Sequence, residues 1–339
     1  MYLFTRQLSN NPRTRIAVFS TKRYDKHTLE PAFKKLGFNP FFLESALSEE
    51  TVILAENYQV VCVFVNDDLN STVISYLAGK GLKHILLRCA GYNNVDLAAC
   101  KEFGIKVARV PAYSPHAVAE FAVGQILMLN RKLHLAYARA RAGNFNLEGL
   151  TGFDLSGKTA GIIGTGKIGR CVIEILSKGF GMNVICYDLY PTEGYTYVDL
   201  PELLKKSDVI SLHCPLSPET KYIINANTIE QMKTGVMLIN SSRGGLIDTK
   251  ALISGLKSRK IGSVALDVYE DESDLFFKDS SSNIIQDDVF SRLLTFPNVS
   301  VTGHQAFLTR EALDNIAEAT AANCSALLNG KECPNLVSA

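Results

Sequence analysis

The feature that most restricts the fold of this chain is a glycine turn, Gly161-Ile-Ile-Gly164-Thr-Gly166-Lys-Ile-Gly169-Arg170. It sets G-x-G-x-x-G at 164, 166 and 169, after an apolar strand-like run (159–164) and before a helical pattern carried by Ile168, Val172, Ile175, Leu176 and Phe180. Three glycines at that spacing are a weak signal alone. Strand, helix and an acid, Asp188, at the end of the next strand nineteen residues after Gly169 turn it into a dinucleotide-binding βαβ unit. The three glycines differ in what they make possible. Gly164 permits the tight turn, Gly166 lets the backbone approach a pyrophosphate, and Gly169 lets helix and strand pack closely. Thr165, Lys167 and Ile168 complete the turn, and the helix N-terminus offers N–H donors to phosphate. Asp188 can accept hydrogen bonds from ribose hydroxyls and would repel a 2′-phosphate, while Leu189 and Tyr190 supply no compensating cation. The expected cofactor is therefore NAD rather than NADP.

Around this turn the chain alternates strands and helices twice. Residues 15–20, 38–43, 60–65, 84–88 and 105–109 read as strands of a first α/β domain. Residues 159–164, 183–187, 208–213, 236–240, 263–267 and 299–302 read as the six strands of a second. Continuous apolar strands argue for parallel sheets covered on both faces. Between the two series, 114–142 reads as one long helix opening on Ser-Pro-His and closing at Gly143. Its wide apolar face (Val118, Phe121, Ala122, Ile126, Leu129, Leu133) suits either a core helix or an interface with a second copy. The helical pattern 310–329 is too short for a domain and returns to the first. The expectation is thus an α/β protein of two Rossmann-like or flavodoxin-like domains: a discontinuous substrate domain, 1–112 plus 308–339, and a dinucleotide domain, 113–307. Two crossings between lobes would make a hinge around a cleft.

The bulk properties narrow the function. A length of 339 residues exceeds what one core usually serves. A net charge of +1 without Lys/Arg-rich runs points away from nucleic acid and anionic lipid. The start, 1–15, lacks the apolar stretch of a secretory signal, and no run is long enough to span a bilayer. Eight dispersed cysteines without a C-x-x-C pair read as reduced, mostly buried thiols of a cytoplasmic protein. The histidines lack metal-ligand spacing, so no metal is expected.

Three chemistry-bearing residues fall at the ends of late strands of the second series, where ligands bind in open parallel sheets. Arg243 lies in Asn240-Ser-Ser-Arg-Gly-Gly-Leu-Ile-Asp248, Glu272 after Leu266-Asp-Val-Tyr-Glu270, and His304 after Val299-Ser-Val-Thr-Gly303. With Cys89-Ala-Gly-Tyr-Asn-Asn-Val-Asp96, Tyr113-Ser-Pro-His-Ala-Val-Ala-Glu120, His213-Cys-Pro215, Ser242-Arg-Gly-Gly245 and Thr302-Gly-His-Gln-Ala-Phe307, the sequence resembles the D-2-hydroxyacid dehydrogenases along nearly its whole length. The segment opening Asp274-Leu-Phe-Phe and the run Gly303-His-Gln-Ala-Phe-Leu-Thr309 are most similar to the fermentative D-lactate branch. Gly303 departs from the commoner pattern, which has proline before the histidine.

The resemblance implies a reversible NADH-dependent reduction of a small 2-keto acid, foremost pyruvate to D-lactate. Arg243 would meet the carboxylate and the polarised carbonyl as a planar, permanent cation. His304 would give and recover the proton, with Glu272 holding the imidazolium and orienting it. The resemblance further implies that Gly91 and its neighbouring amides take the substrate carboxylate, helped by the Tyr113 hydroxyl, with Phe307 as an apolar wall. Asp267 would meet the nicotinamide carboxamide, and His213, Cys214, Pro215, Ser241 and Ser242 would line the cofactor site. Two other readings stay open: a dehydrogenase for a bulkier 2-keto acid, and an NAD-sensing binding protein of corepressor type, which shares the architecture. A homodimer or homotetramer is the expected assembly.

Overall fold

The computed structural model describes residues 14–272 and 275–337, so most of the polar start and Asp274 lie outside the described residues. The chain divides into two compact units, Met1–Ser114 with Thr309–Ala339, and Pro115–Leu308.

In the first unit β1 (Ile16–Val18), β2 (Phe41–Phe42), β3 (Val60–Val63), β4 (His84–Leu87) and β5 (Lys106–Ala108) are parallel, in the order 2-1-3-4-5. Both faces are covered, which is why β1 and β3 are buried at every residue. Helices α1 (Arg23–Lys35), α2 (Ser71–Gly79) and α3 (Leu97–Glu102) follow strands or the loops after them. Asn70 and Asp96 cap α2 and α3 by accepting the N–H groups of Val73 and Ala99.

The expected single helix 114–142 is instead two, α4 (Pro115–Asn130) and α5 (Leu133–Arg141). The break has a local cause. Asn130 is buried, and its side chain pairs with the backbone of Phe153, accepting from N at 2.9 Å and donating to O at 2.7 Å. The returning chain passes so close that a Cβ on Gly152 would lie 2.5 Å from the Asn130 carbonyl oxygen. Lys132 then turns in the left-handed region (φ 49°) and donates to the Thr151 carbonyl. Val118, Ala122, Ile126 and Leu129 are buried as the pattern required, whereas Leu133, beyond the break, is exposed.

The second unit holds β6 (Thr159–Ile163), β7 (Asn183–Tyr187), β8 (Val209–Leu212), β9 (Val236–Asn240), β10 (Ile261–Leu266) and β11 (Val299–Val301), all parallel, with β7 and β11 at the edges. Beyond β7 the chain makes one parallel bridge, Cys186 to Tyr197, a single rung outside the six strands. Successive residues face opposite ways: Ile210 and Leu212 enter one core with Leu238 and Leu252, while Val209 enters the other with Ile162, Met237 and Val172. Helices α6 (Lys167–Glu174), α7 (Leu200–Lys206), α8 (Ala226–Gln231), α9 (Thr249–Lys257) and α10 (Asp288–Leu294) complete the layers with α4. The order reverses between β6 and β8, and the glycine turn leaves β6 at that point.

The chain then returns to the first unit. Helix α11 (Arg310–Leu328) packs along α1, placing Ala317, Ala321 and Cys324 in one core with Val18, Phe33 and Cys62. A final strand, β12 (Leu336–Val337), pairs antiparallel with β5 and closes that edge. Two residues are too few for sequence periodicity to announce. No helix among the described residues is long and apolar enough to cross a membrane.

Candidate active site

The glycine turn is built for close approach. Gly164 sits at φ +97°, and a Cβ on Gly169 would lie 2.0 Å from the Gly164 carbonyl oxygen, so only glycine lets α6 start this near β6. Gly166 faces open space, leaving its backbone accessible. The turn opens onto a cavity of about 650 Å³, reached also by Asp188, Tyr190, His213, Cys214 and Pro215. Asp188 accepts from Thr165 N at 2.6 Å, Thr165 Oγ1 at 2.9 Å and Tyr190 N at 2.9 Å. Burial opposes its ionisation, but the hydrogen bonds from Thr165 and Tyr190 outweigh that and hold the carboxyl below its usual range. The Tyr197 hydroxyl, 2.8 Å from Thr165 Oγ1, steadies this arm, and the rung that places it was not visible in the sequence.

The two serines after β9 lie at the same end of the sheet. Ser242 Oγ donates to the Cys214 carbonyl at 2.6 Å, joining the β8 and β9 loops. The Ser241 hydroxyl is buried without a hydrogen-bond partner among the described residues, a polar group that a ligand can satisfy. His213 bonds Ser211 Oγ through Nε2 at 2.8 Å, and burial holds its imidazole down to about 4, so it is neutral at ordinary pH. These features fit a dinucleotide: a glycine cradle, an acid at the ribose end and an unpaired hydroxyl.

The acid–base pair stands on the next two strands. His304 Nδ1 is 2.8 Å from Glu272 Oε1. A carboxylate only accepts, so Nδ1 carries the proton and donates it, leaving Nε2 without a hydrogen-bond partner among the described residues. Glu272 is itself held by Tyr269 N, 3.2 Å from Oε2, and Phe277 lies against the imidazole with ring centroids 5.8 Å apart. His304 adopts φ 55°, a strained conformation that its loop must enforce.

Asp267 enforces it. The residue is 2% exposed, and its carboxylate accepts from Thr302 Oγ1 at 2.6 Å, Gln305 N at 2.9 Å and Ala306 N at 2.8 Å, on both sides of His304. Burial pushes this carboxyl above the usual range, while the three hydrogen bonds and the nearby imidazole pull it back. Gly303, where a proline would stiffen the chain, meets nothing within 4 Å, and the Asp267 clamp supplies the stiffness instead. Phe307, just beyond, is buried.

Arg243 is set by Asn240, which accepts from Ser242 N at 3.0 Å and donates to the Arg243 carbonyl at 2.8 Å. Its Nη1 donates to the Ser242 carbonyl at 2.7 Å, and among the described residues no carboxylate pairs with it. A Cβ on Gly244 would lie 2.0 Å from the Tyr269 carbonyl carbon, so the Arg243 and Glu272 loops touch backbone to backbone. The second unit therefore gathers the loops of Arg243, Glu272 and His304 at the C-terminal ends of β9, β10 and β11. Gly91 and Tyr113 belong to the first unit. Gly91 lies after β4 in a loop braced by Arg109, whose Nη1 donates to the Ala90 carbonyl at 2.8 Å, and the Tyr113 carbonyl accepts from Asn315 at 2.6 Å.

Residues 123–306 match the description "D-isomer specific 2-hydroxyacid dehydrogenase, NAD binding domain". The chain is 55% identical over 326 residues to the D-lactate dehydrogenase of Escherichia coli K12, covering 95% of this chain and 99% of that one. It belongs to the D-isomer specific 2-hydroxyacid dehydrogenase family. This dehydrogenase is an NAD-dependent oxidoreductase, and its fold is shared with solved structures. A pyruvate reductase of Chlamydomonas reinhardtii is 46% identical over 95% of this chain and 98% of that one, with a TM-score of 0.89. A D-lactate dehydrogenase of Aquifex aeolicus, complexed with NAD and lactic acid, is 34% identical over 96% and 99%, with a TM-score of 0.85.

Proposed function

We propose that this chain reduces pyruvate to D-lactate with NADH, reversibly, as a fermentative D-lactate dehydrogenase. The observation that carries the reading is the His304–Glu272 pair at 2.8 Å, with Nε2 left for a substrate oxygen. Similarity to D-lactate dehydrogenases along 95% of the chain supports this choice of acid. Arg243 binds the substrate carboxylate and polarises the carbonyl. His304 donates the Nε2 proton to the carbonyl oxygen in reduction and takes it back in oxidation, while Glu272 offsets the charge on the ring. Bound NADH supplies the hydride. Gly164, Thr165, Gly166, Lys167, Ile168 and Gly169 hold the pyrophosphate, Asp188 the ribose, and His213, Cys214, Pro215, Ser241 and Ser242 line the remaining cofactor site. Asp267 meets the nicotinamide carboxamide. Gly91 and Tyr113 serve the substrate carboxylate, and Phe307 serves as an apolar wall. The first unit serves as the substrate domain and the second as the NAD domain, their bounds lying one or two residues from the expected 1–112 with 308–339 and 113–307.

The enzyme works as a homodimer or homotetramer in the cytoplasm. Eight free cysteines support a reducing compartment. Tyr137, Phe145 and Leu147, 67%, 79% and 77% exposed on and after α5, support a face covered by a second copy, which light scattering would test. The functional test is NADH consumption with pyruvate, 2-ketoisocaproate and phenylpyruvate, with D- and L-lactate in the reverse direction. Pyruvate gives the highest kcat/KM, D-lactate alone is oxidised, and His304→Gln loses turnover by about a hundredfold or more while still binding NADH. Full turnover in that variant would remove His304 as the proton donor.

A further inference from the structure

The residues after Asp188 carry no cation for a 2′-phosphate, but the fold brings one from elsewhere. Arg170, on the first turns of α6, lines the same cavity as Asp188, Tyr190 and Thr192. Its Nε donates to the Thr165 carbonyl at 2.8 Å, and the same Thr165 donates through N and Oγ1 to Asp188. One residue thus holds a guanidinium and a carboxylate at the ribose end of the cavity. The two are not ion-paired, and among the described residues nothing engages the Nη groups of Arg170. The side chain is exposed, so core packing does not account for it. A guanidinium tethered by Nε presents its two remaining nitrogens as a fork, the geometry that suits a phosphate's paired oxygens. In an NAD complex the ribose 2′-position carries only a hydroxyl. In a phosphorylated dinucleotide it carries the anion such a fork recognises.

We propose that Arg170 is a second determinant of cofactor choice: it offers the 2′-phosphate the cation withheld by the residues after Asp188, so the chain binds NADP(H) as a minor cofactor beside NAD(H). Asp188 repels that phosphate and Arg170 attracts it, and the preference for NAD is the balance of the two. The inference rests on the NAD site alone and stands whichever 2-keto acid is the substrate.

The test is direct binding to the full chain without substrate, titrating NADH and NADPH by fluorescence. Wild type binds NADPH more weakly than NADH but measurably. Arg170→Gln raises the ratio of the NADPH Kd to the NADH Kd about tenfold, and Arg170→Lys, which keeps charge without the fork, falls between. Asp188→Ala lowers that ratio, and adding Arg170→Gln to it raises the ratio again. Three results would overturn the proposal: no NADPH binding by wild type at millimolar concentration, a ratio unmoved by Arg170→Gln, or equal losses for both dinucleotides, which would put Arg170 on a phosphate they share. Thermal unfolding of each variant identifies any that is misfolded, and Arg170→Lys then carries the comparison.

Discussion

Replacing Asp267 by asparagine tests whether a buried carboxylate holds the proton donor in place. Oδ1 accepts from Thr302 Oγ1 and Gln305 N, and Oδ2 accepts from Ala306 N. An amide keeps only one acceptor oxygen. With that oxygen in the Oδ1 position, the new NH₂ faces the Ala306 N–H, donor against donor, and one buried charge-assisted hydrogen bond is lost outright. The loss is about 1.5–3 kcal/mol. For a unit of about 190 residues this is a fall in melting temperature of about 3–12 °C. The loss falls on the loop that keeps His304 at φ 55°, so kcat for pyruvate should drop by at least about tenfold as Nε2 loses its fixed direction. Differential scanning fluorimetry, steady-state kinetics and hydrogen exchange at Gln305 and Ala306 read the three consequences separately. A variant that melts within about 1 °C of the parent, with those amides equally protected, would refute the clamp.

Two further substitutions address the cofactor site. Gly169→Ala places a methyl group 2.0 Å from the Gly164 carbonyl oxygen, so α6 must move off β6; NADH affinity should fall at least about tenfold and stability by about 2 kcal/mol or more, and wild-type values of both would refute the close approach. His213, held near 4 by burial against 6.5 when unperturbed, binds its proton in the unfolded chain first. Stability from this residue therefore declines as pH falls from about 6.5 toward 4, and His213→Gln should flatten that part of the curve of melting temperature against pH; an unchanged slope would assign the acid sensitivity to other groups.

Much of the site was legible because it sits at strand ends, which periodicity locates well. Arg243, Glu272 and His304 each follow an apolar run, and the loops of all three gather at one end of the second sheet. The glycine turn could be read because its demands are local: a positive φ at Gly164 and a missing Cβ at Gly169 leave a mark on the residue itself. What stayed hidden depends on partners distant in sequence. Asp267 was expected only as a partner of the nicotinamide, since its clamp on residues 302–306 exists only once β10 and β11 pair. Arg170 stood inside the motif without a role, since its neighbour Asp188 reaches it only through Thr165. The break between α4 and α5 was missed for the same reason: an Ala/Leu-rich stretch favours continuing a helix, and the Asn130 pairing with Phe153 overrides that preference.

The packing of α11 along α1 has a consequence for biosynthesis. The two helices share one core although the whole of Pro115–Leu308 is translated between them. The middle segment carries all six of its strands in one uninterrupted stretch and can condense as it emerges from the ribosome. The opening segment must wait, its β1 face uncovered, until the last helix is released. A nascent chain arrested before residue 309 would therefore display a finished nucleotide fold tethered to a half-built neighbour whose bare apolar face invites chaperones.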